Sequence, residues 1–299
     1  MKYKRSFGDM CFIVLNHIFM ILFALACTLP FYYIFINTIS DNTLVSKGLI
    51  TLLPRGIHFS NYGQILKISG LFNSLQISVA RTVLGTTITI LGTTFLGYAL
   101  SRPELWKRKL WYRFVIVTMY FNAGIIPWYI NMKNLGLVNH FFAYILPGII
   151  SPFSLVLFKT YVESIPASLE ESADLDGAGY LTKYLRIVMP LCKPIVATLV
   201  VFAAVGQWNS FIDTLFLMTD QKLFPMQYML YQYLNESNAL ADSLRQASVA
   251  GMDVNLSSIL TPSSVKMTIS MVVVLPILFI YPFFQKYFVN GIMIGAVKG

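Results

Sequence analysis

Long apolar runs alternate with short polar segments along this chain. Six runs reach the roughly 20 residues that a helix needs to cross the hydrocarbon core of a bilayer. The runs are apolar throughout rather than at every second residue, which favours membrane-spanning helices over a β-barrel. The pattern predicts an all-α membrane protein with six transmembrane helices, at about 11–36, 73–101, 114–132, 140–162, 194–218 and 267–289.

Composition agrees with this pattern. Of the 299 residues, 56% are hydrophobic and 12% are charged, whereas roughly a quarter of the residues in a soluble domain are charged. The sequence has no internal repeat and no low-complexity tract, so we expect a single transmembrane domain over residues 1–299.

Basic residues near the ends of the runs predict the orientation of the helices. Eight of the 22 lie in residues 1–5 and 102–113, and lysine and arginine accumulate on the cytoplasmic side of a membrane. Both termini and the segment 164–190 are then cytoplasmic. The longer segments 37–72 and 219–266 are outside and contain turn-forming residues, so they either dock an external partner or cap the bundle. This clustering also explains the net charge of +9, and nucleic-acid binding is not indicated.

No motif indicates a resident cofactor or an enzymatic activity. The three cysteines lie in or beside apolar runs without CxxC spacing or a histidine cluster, so neither a metal site nor a disulfide is predicted. The sequence has no GxxxxGK[ST] nucleotide-binding motif. It also has no Ser/His/Asp or His/Glu constellation on one membrane face.

The polar segment 164–190 is long for a connection between two helices, which usually takes about 2–8 residues. It predicts a short helix with Ser164 as N-cap and a second over 180–188 that ends before Pro190. Gly177 supplies the turn between them. Both helices are amphipathic and too short to be stable alone. A hairpin on the bilayer surface favours basic polar faces, whereas the first helix is acidic, so a protein partner fits better.

This segment resembles the EAA loop that defines permease subunits of ABC-type importers. The family loop has the pattern E-A-A, then G, then I-x-L-P. This chain matches the pattern in spacing with Glu171-Ser172-Ala173, Gly177, Ile187 and Met189-Pro190. It departs from the pattern at Ser172, which stands in place of alanine, and at Met189, which stands in place of leucine. The resemblance implies the type I ABC importer permease fold, with a cytoplasmic coupling loop at about 164–190. It assigns contact with an ATPase to Glu170, Glu171, Ser172, Ala173, Asp176, Gly177 and Pro190, and more loosely to the tail 295–299.

Other segments are similar to the carbohydrate-uptake branch of that family, namely 124–127, 208–209, 281–288 and 295–299. They are most similar to its subgroup for oligosaccharides such as aldouronates, alginate or rhamnogalacturonan fragments. The resemblance implies a bacterial plasma-membrane complex with a second permease subunit, two ATPase subunits that bind Mg-ATP, and an extracellular solute-binding protein that delivers an oligosaccharide. This chain itself would hold no cofactor and catalyse no reaction.

Polar residues inside the apolar runs mark a candidate pathway for the sugar, because such residues are costly in a membrane unless they face a cavity or a partner. Asp213 is the one acidic residue clearly inside a run, and residues 207–210 add amides and an indole that suit sugar hydroxyls and ring faces. The pathway candidates are Gln76, Asn122, Trp208, Asn209 and Asp213, followed by Asn73, Arg81, Tyr120 and Trp128.

Two of these candidates have alternative interpretations. Asn209 and Asp213 are one helical turn apart and could bond each other, or a neighbouring helix, as packing contacts. Arg81 could attract an acidic sugar, extend to the membrane surface or pair with Asp213. At the level of function, the alternative is an ion-coupled secondary carrier. Such carriers are built from inverted repeats and hold several intramembrane acids, whereas Asp213 stands alone.

Overall fold

The computed structural model describes residues 7–249 and 262–291, and every regular element in that part of the chain is helical. The α-helices, in chain order, are α1 (Phe7–Thr38), α2 (Asn42–Ser46), α3 (Ser60–Leu66), α4 (Leu71–Ser101), α5 (Arg108–Tyr120), α6 (Ile125–Asn134), α7 (Pro152–Glu163), α8 (Ser168–Leu175), α9 (Tyr180–Lys183), α10 (Met189–Leu191), α11 (Lys193–Asn209), α12 (Ile212–Leu217), α13 (Met226–Val249) and α14 (Pro262–Gly291). Shorter elements are the 3-10 helices Phe141–Tyr144, Leu146–Gly148 and Gln221–Leu223 and the π-helical segment Tyr184–Val188.

The described residues divide into two compact units. The first comprises 7–68, 232–249 and 262–275, and the second comprises 69–231 and 276–291. The single transmembrane domain expected from the sequence stays a prediction.

In the first unit, α1 ends in a small folded cap. Most apolar side chains of α1 are exposed, which suits a helix that lies against lipid. Its last turn is buried, and Ile36 packs there with Val45 and Ile50. Asn61, also buried, donates hydrogen bonds of 3.0 Å to the Thr38 carbonyl oxygen and to the side-chain oxygen of Asn42. These contacts hold α3 against the end of α1.

Asp41 starts α2 as its N-cap. The carboxylate accepts hydrogen bonds from the Thr43 hydroxyl and from the backbone amides of Thr43 and Leu44. These bonds stabilise the charged form and hold the pKa of Asp41 below its ordinary value. The predicted outer segment 37–72 thus contains the capped helix α2 and the helix α3 as well as turns.

In the second unit, α4 is central and packs against α7 and α11. Two of its glycines allow the close approach. A Cβ on Gly92 would lie 2.7 Å from the Ile149 carbonyl oxygen, and one on Gly97 would lie 2.9 Å from the Phe158 ring. Small residues have this role wherever membrane helices pack tightly.

Two hydrophobic clusters form the core of the second unit. One lies beside the C-terminal half of α4 and includes Tyr98, Phe158, Tyr184, Val188 and Leu199. The other joins α6, the 3-10 segments and α12, and includes Met132, Tyr144, Leu217, Phe224 and Tyr228.

Helices α1 and α4 are each long and apolar enough to cross a membrane unbroken. The prediction that the third span is one continuous helix over 114–132 was wrong. Helices α5 and α6 meet there at 117°. Residues 121–124 between them are not helical, and Gly124 has a φ of +88°, which glycine adopts without steric cost.

The fourth and fifth spans are also broken. The fourth, predicted over 140–162, starts as 3-10 turns and bends by 43° into α7. Pro147 and Pro152 lie at the starts of these pieces and lack the amide that a continuous helix needs. The fifth, predicted over 194–218, is interrupted at Ser210, whose backbone is extended.

The segment 219–266, expected to hold turn formers without a periodic core, instead contains the whole of α13, so that expectation was wrong. Met229 and Leu230 are buried three and four positions after the buried Met226, as on one face of a helix, and the turn-forming residues 235–238 lie within the helix without interrupting it. The sixth predicted span, 267–289, lies within α14. The count of six crossings stays a prediction, and the tail 295–299 lies outside the described residues.

Candidate functional site

The 164–190 loop folds as two short helical pieces. Ser164 is the C-cap of α7 and not the N-cap of α8, which starts after Ala167 without a side-chain cap. The second piece does not end before Pro190 as predicted. It continues from α9 through the π-helical segment into α10, and the chain then bends by 84° at Cys192. Proline is tolerated at the start of α10 because its missing amide is not needed there.

Gly177 closes α8 with a defined hydrogen-bond pattern. The Ala178 amide donates to the Ala173 carbonyl oxygen at 2.9 Å, and the Gly177 amide donates to that of Asp174 at 3.0 Å. This is a Schellman motif, in which the residue after the C-cap must be left-handed. Gly177 has a φ of +76°. The turn therefore explains why glycine stands between Asp176 and Ala178.

The residues assigned to ATPase contact lie on two different faces of the loop. Glu170 and Ala173 are buried, one helical turn apart. The exposed members are Glu171, Ser172, Asp176, Gly177 and Pro190.

Leucines of α8 point away from the rest of the chain, although the helix is amphipathic by sequence. Leu175 is 91% exposed and Leu169 is 45% exposed. An exposed apolar side chain beside the acidic Glu171 and Asp176 is the kind of surface that a protein partner covers.

Arg102 and Lys183 hold the loop in place, and sequence reasoning missed both. Arg102 forms an ion pair with Glu170, and its guanidinium lies 4.6 Å from the centre of the Tyr98 ring. Lys183 bonds Asp174 at 2.7 Å and ties the two pieces of the loop together. The sequence marks Arg102 only as one of the basic residues that indicate the orientation of the helices. Its place directly before Pro103, where α4 must end, is the signal that sets it apart.

A cavity of about 600 Å³ with both apolar and polar lining lies beside α4, towards its N-terminus from the loop contacts, in the second unit. It is walled by α4, the 3-10 turns before α7, and the end of α11. The lining residues are Arg81, Thr89, Trp128, Ala143, Tyr144, Pro147, Gly148, Ser151, Phe153, Ser154, Phe202, Ala203, Gly206, Gln207, Ser210 and Asp213.

Arg81 is the centre of a hydrogen-bond network in this cavity. Its Nη2 lies 2.6 Å from Oδ2 of Asp213, and its Nη1 lies 3.3 Å from Oδ1. The remaining donors reach Oε1 of Gln207 at 3.3 to 3.4 Å and the Ser210 carbonyl oxygen at 3.1 Å. The guanidinium also lies 4.3 Å from the centre of the Tyr144 ring. Every nitrogen of the Arg81 side chain is thus engaged within the protein.

Gln207 reaches Arg81 across Gly85. A Cβ at Gly85 would lie 2.7 Å from the Gln207 amide, so a larger residue there would displace the Gln207 side chain from its present position. Nε2 of Gln207 donates to the Tyr144 carbonyl oxygen at 3.3 Å. The network therefore joins α4, α11, α12 and the 3-10 turns.

The structure brings Asp213 to the cavity but places the other pathway candidates elsewhere. Gln76 is exposed, and Asn209 is exposed with its amide bonded to the Val205 carbonyl oxygen. Asn122 accepts a hydrogen bond from the Gly124 amide at the turn before α6. Trp208 is buried away from the cavity, because neighbouring helical residues point about 100° apart and Gln207 faces inward.

The second group of candidates divides in the same way. Arg81 and Trp128 line the cavity, whereas Asn73 donates to the Lys222 carbonyl oxygen and Tyr120 is exposed. Of the alternatives left open by the sequence, Arg81 pairs with Asp213, and Asn209 makes no side-chain bond to Asp213.

The cavity offers groups that bind hydroxyls and apolar rings. Amide, hydroxyl and carboxylate groups line it together with aromatic side chains of Trp128, Phe153 and Phe202. Among the described residues no group of three or more His, Cys, Asp or Glu side chains is arranged to hold a metal ion. The arrangement suits binding and passage of a polar solute.

Comparison with known proteins identifies the family. Residues 88–294 match the family described as the binding-protein-dependent transport system inner membrane component. This chain belongs to that family. It is therefore a permease component of an inner-membrane transport system.

Relatives and solved structures extend over nearly the whole chain. The polygalacturonan/rhamnogalacturonan transport system permease protein YtcP of Bacillus subtilis is 34% identical over 94% of this chain and 96% of the relative. Protein LplC of the same organism is 32% identical over 91% of this chain and 89% of the relative. The crystal structure of a bacterial ABC transporter involved in the import of the acidic polysaccharide alginate matches with a TM-score of 0.81 at 30% identity, covering 95% of this chain and 99% of that chain. The fold is thus that of a type I ABC importer permease.

Proposed function

We propose that this chain is one of two permease subunits of an ATP-driven importer that takes up an oligosaccharide across the bacterial plasma membrane. An extracellular solute-binding protein delivers the sugar, and two separate ATPase subunits bind Mg-ATP on the cytoplasmic side. The carbohydrate assignment is supported by relatives whose names specify polygalacturonan or rhamnogalacturonan and arabinooligosaccharides. The similar alginate importer supports the same class of substrate.

The exposed face of α8 is the observation that carries the ATP-driven mechanism. Leu175, Glu171 and Asp176 present an apolar contact flanked by two carboxylates. A partner with a cleft and basic residues would cover this face. Closure of the ATPase pair would then move the loop and switch access of the pathway from one side to the other.

We place part of the sugar pathway at the cavity beside Arg81. The ring face of a sugar would stack on Trp128 or Phe202, and its hydroxyls would bond Gln207 and Ser151. The other predicted pathway residues, Gln76, Asn122, Trp208 and Asn209, do not line this cavity, and their place on the pathway stays a prediction. Asp213 is disfavoured as a proton carrier of a secondary transporter because its carboxylate is paired with Arg81 at 2.6 Å.

Replacement of the exposed leucine tests the ATPase contact. Leu175→Glu should lower both the ATPase that co-purifies with this chain and sugar uptake by about tenfold, because a charge enters an apolar contact. Uptake is measured in cells with labelled oligogalacturonate, alginate and arabino-oligosaccharide probes. Leu135 is an exposed leucine in the turn after α6, so Leu135→Glu is the matched control. It should change neither the amount of co-purified ATPase nor sugar uptake. A wild-type complex that contains no ATPase would overturn the proposed function.

A further inference from the structure

We propose that the Arg102–Glu170 ion pair is the contact through which movement of the 164–190 loop reaches the cavity, so that Arg102 and Glu170 are positioning residues for transport. This inference rests on the coupling function proposed above. Glu170 is only 9% exposed, although its neighbour Glu171 is exposed. A buried carboxylate is stable only with a partner, and removal of that partner is costly. The ion pair therefore fixes α8 to the end of α4.

Arg102 is held in a single orientation before it meets Glu170. Its Nε and Nη2 donate to the Ser101 hydroxyl at 3.1 and 3.0 Å, and its guanidinium stacks on Tyr98. Nη1 is the nitrogen that bonds Glu170. A planar guanidinium fixed in this way passes on a displacement that a flexible lysine would absorb.

The second piece of the loop presses on the same end of α4. The Tyr184 and Thr94 hydroxyls are hydrogen-bonded at 2.8 Å, and both are buried. The Tyr184 ring lies 5.4 Å from that of Tyr98 and 5.7 Å from that of Phe95, measured between ring centres. Because Lys183 also ties the two pieces of the loop to each other, the loop and the end of α4 move as one body.

Helix α4 then carries that movement to the cavity. It runs without a break from Leu71 to Ser101, and Arg81 and Arg102 are about 30 Å apart along it at about 1.5 Å per residue. Arg102 is paired with Glu170 of the loop, and Arg81 is paired with Asp213 at the cavity wall. A shift of the loop together with α4 must therefore displace the network that shapes the cavity.

Charge reversal in the full complex tests this proposal. The complex is purified through a tag on this chain and placed in vesicles, and uptake of the probe sugar that the wild type transports is measured together with ATP hydrolysis. Arg102→Glu and Glu170→Arg should each lower uptake by about tenfold, while ATP hydrolysis stays within about twofold. The combined variant should recover uptake to within about threefold, because the pair is restored with opposite polarity. Glu104→Arg, an exposed carboxylate in the same loop as Arg102, is the control and should leave uptake unchanged.

A cross-link provides the second measurement if the reversed charges do not pack. Arg102→Cys and Glu170→Cys are introduced after replacement of the native cysteines and joined with a short bifunctional thiol reagent. Uptake should continue after cross-linking, because we expect residues 102 and 170 to stay in contact throughout the transport cycle. Loss of uptake on cross-linking, or full uptake in both single charge reversals, would overturn the proposal. Loss of the ATPase from both single variants would also overturn it, by showing a role in assembly alone. A wild-type complex without ATPase would instead overturn the proposed function.

Discussion

Arg81 and Asp213 act as a pair because of where they lie. Arg81 is 1% exposed, and the Asp213 side chain is 15% exposed. A single charge at that depth costs several kcal/mol unless a partner compensates it. We infer that the pair fixes the wall of the cavity before a sugar arrives. The Gln207 amide and the serine hydroxyls supply the polar contacts that remain for the solute.

Removal of the Asp213 charge should therefore destabilise the chain. Asp213→Asn leaves Arg81 buried with an uncompensated charge, and the expected loss is about 3–5 kcal/mol of unfolding free energy. Thermal unfolding of the detergent-purified complex would show this loss as a lower Tm. Asp220→Asn, at an exposed carboxylate, should leave the Tm unchanged. Arg81→Gln combined with Asp213→Asn should recover part of the loss, and a wild-type Tm in Asp213→Asn alone would contradict this account.

Single residues differ in how far the sequence reveals their roles. Arg81 and Asp213 are visible because a charge inside an apolar run is rare and needs a reason. The Arg102–Glu170 pair cannot be predicted from the sequence. Five helices and the loops between them separate the two residues along the chain, and an arginine or a glutamate is common at the end of a span. Gln207 and Trp208 are adjacent, and which of them faces the cavity depends on the break at Ser210, which composition does not show.

At the scale of elements, the apolar runs predict where helices lie but not where they break. Run length is a local property, so α1, α4 and α11 start within a few residues of the predicted bounds. The breaks at 121–124 and 149–151 fall inside the predicted runs, and proline or glycine beside them is compatible with either a kink or a complete interruption. Tertiary packing decides between these outcomes.

The turn between the two pieces of the loop should depend on Gly177 and not on Gly179. Alanine at position 177 must adopt a left-handed backbone, which costs about 1–2 kcal/mol, although its Cβ would meet no atom within 4 Å. Gly179 has a φ of −68° and equal space, so Gly179→Ala should be neutral. Gly177→Ala should lower the amount of co-purified ATPase and sugar uptake, whereas Gly177→Asn should lower them less because asparagine tolerates this conformation.

That difference can be measured by quantitative blotting of the ATPase against this chain in each purified complex, with uptake of the transported probe sugar recorded in the same cells. Equal effects of the two alanine substitutions would show that space or flexibility, and not the sign of φ, decides the shape of the loop.

At the scale of the whole molecule, the function requires opposite surfaces to meet different partners. From the distribution of basic residues we expect the segment 164–190 to lie in the cytoplasm, where an ATPase would bind, and the segment 37–72 to lie outside, where a solute-binding protein would arrive. The basic residues at 102–113 favour this orientation, because they lie around the start of α5 and Arg102 among them pairs with Glu170 of the loop.

Thiol labelling of intact cells tests the orientation directly. In a background without the native Cys11, Cys27 and Cys192, single cysteines replace exposed residues on each side: Trp106 and Leu175 on the expected inner side, and Leu53 and Leu135 on the expected outer side. A membrane-impermeant maleimide should label the outer pair in whole cells and the inner pair only in inverted vesicles or permeabilised cells. Because all four positions are at least 62% exposed, a difference in labelling reports the side of the membrane and not burial in the chain. Labelling of Leu175→Cys in intact cells would place the loop outside, where no ATP-driven partner could reach it.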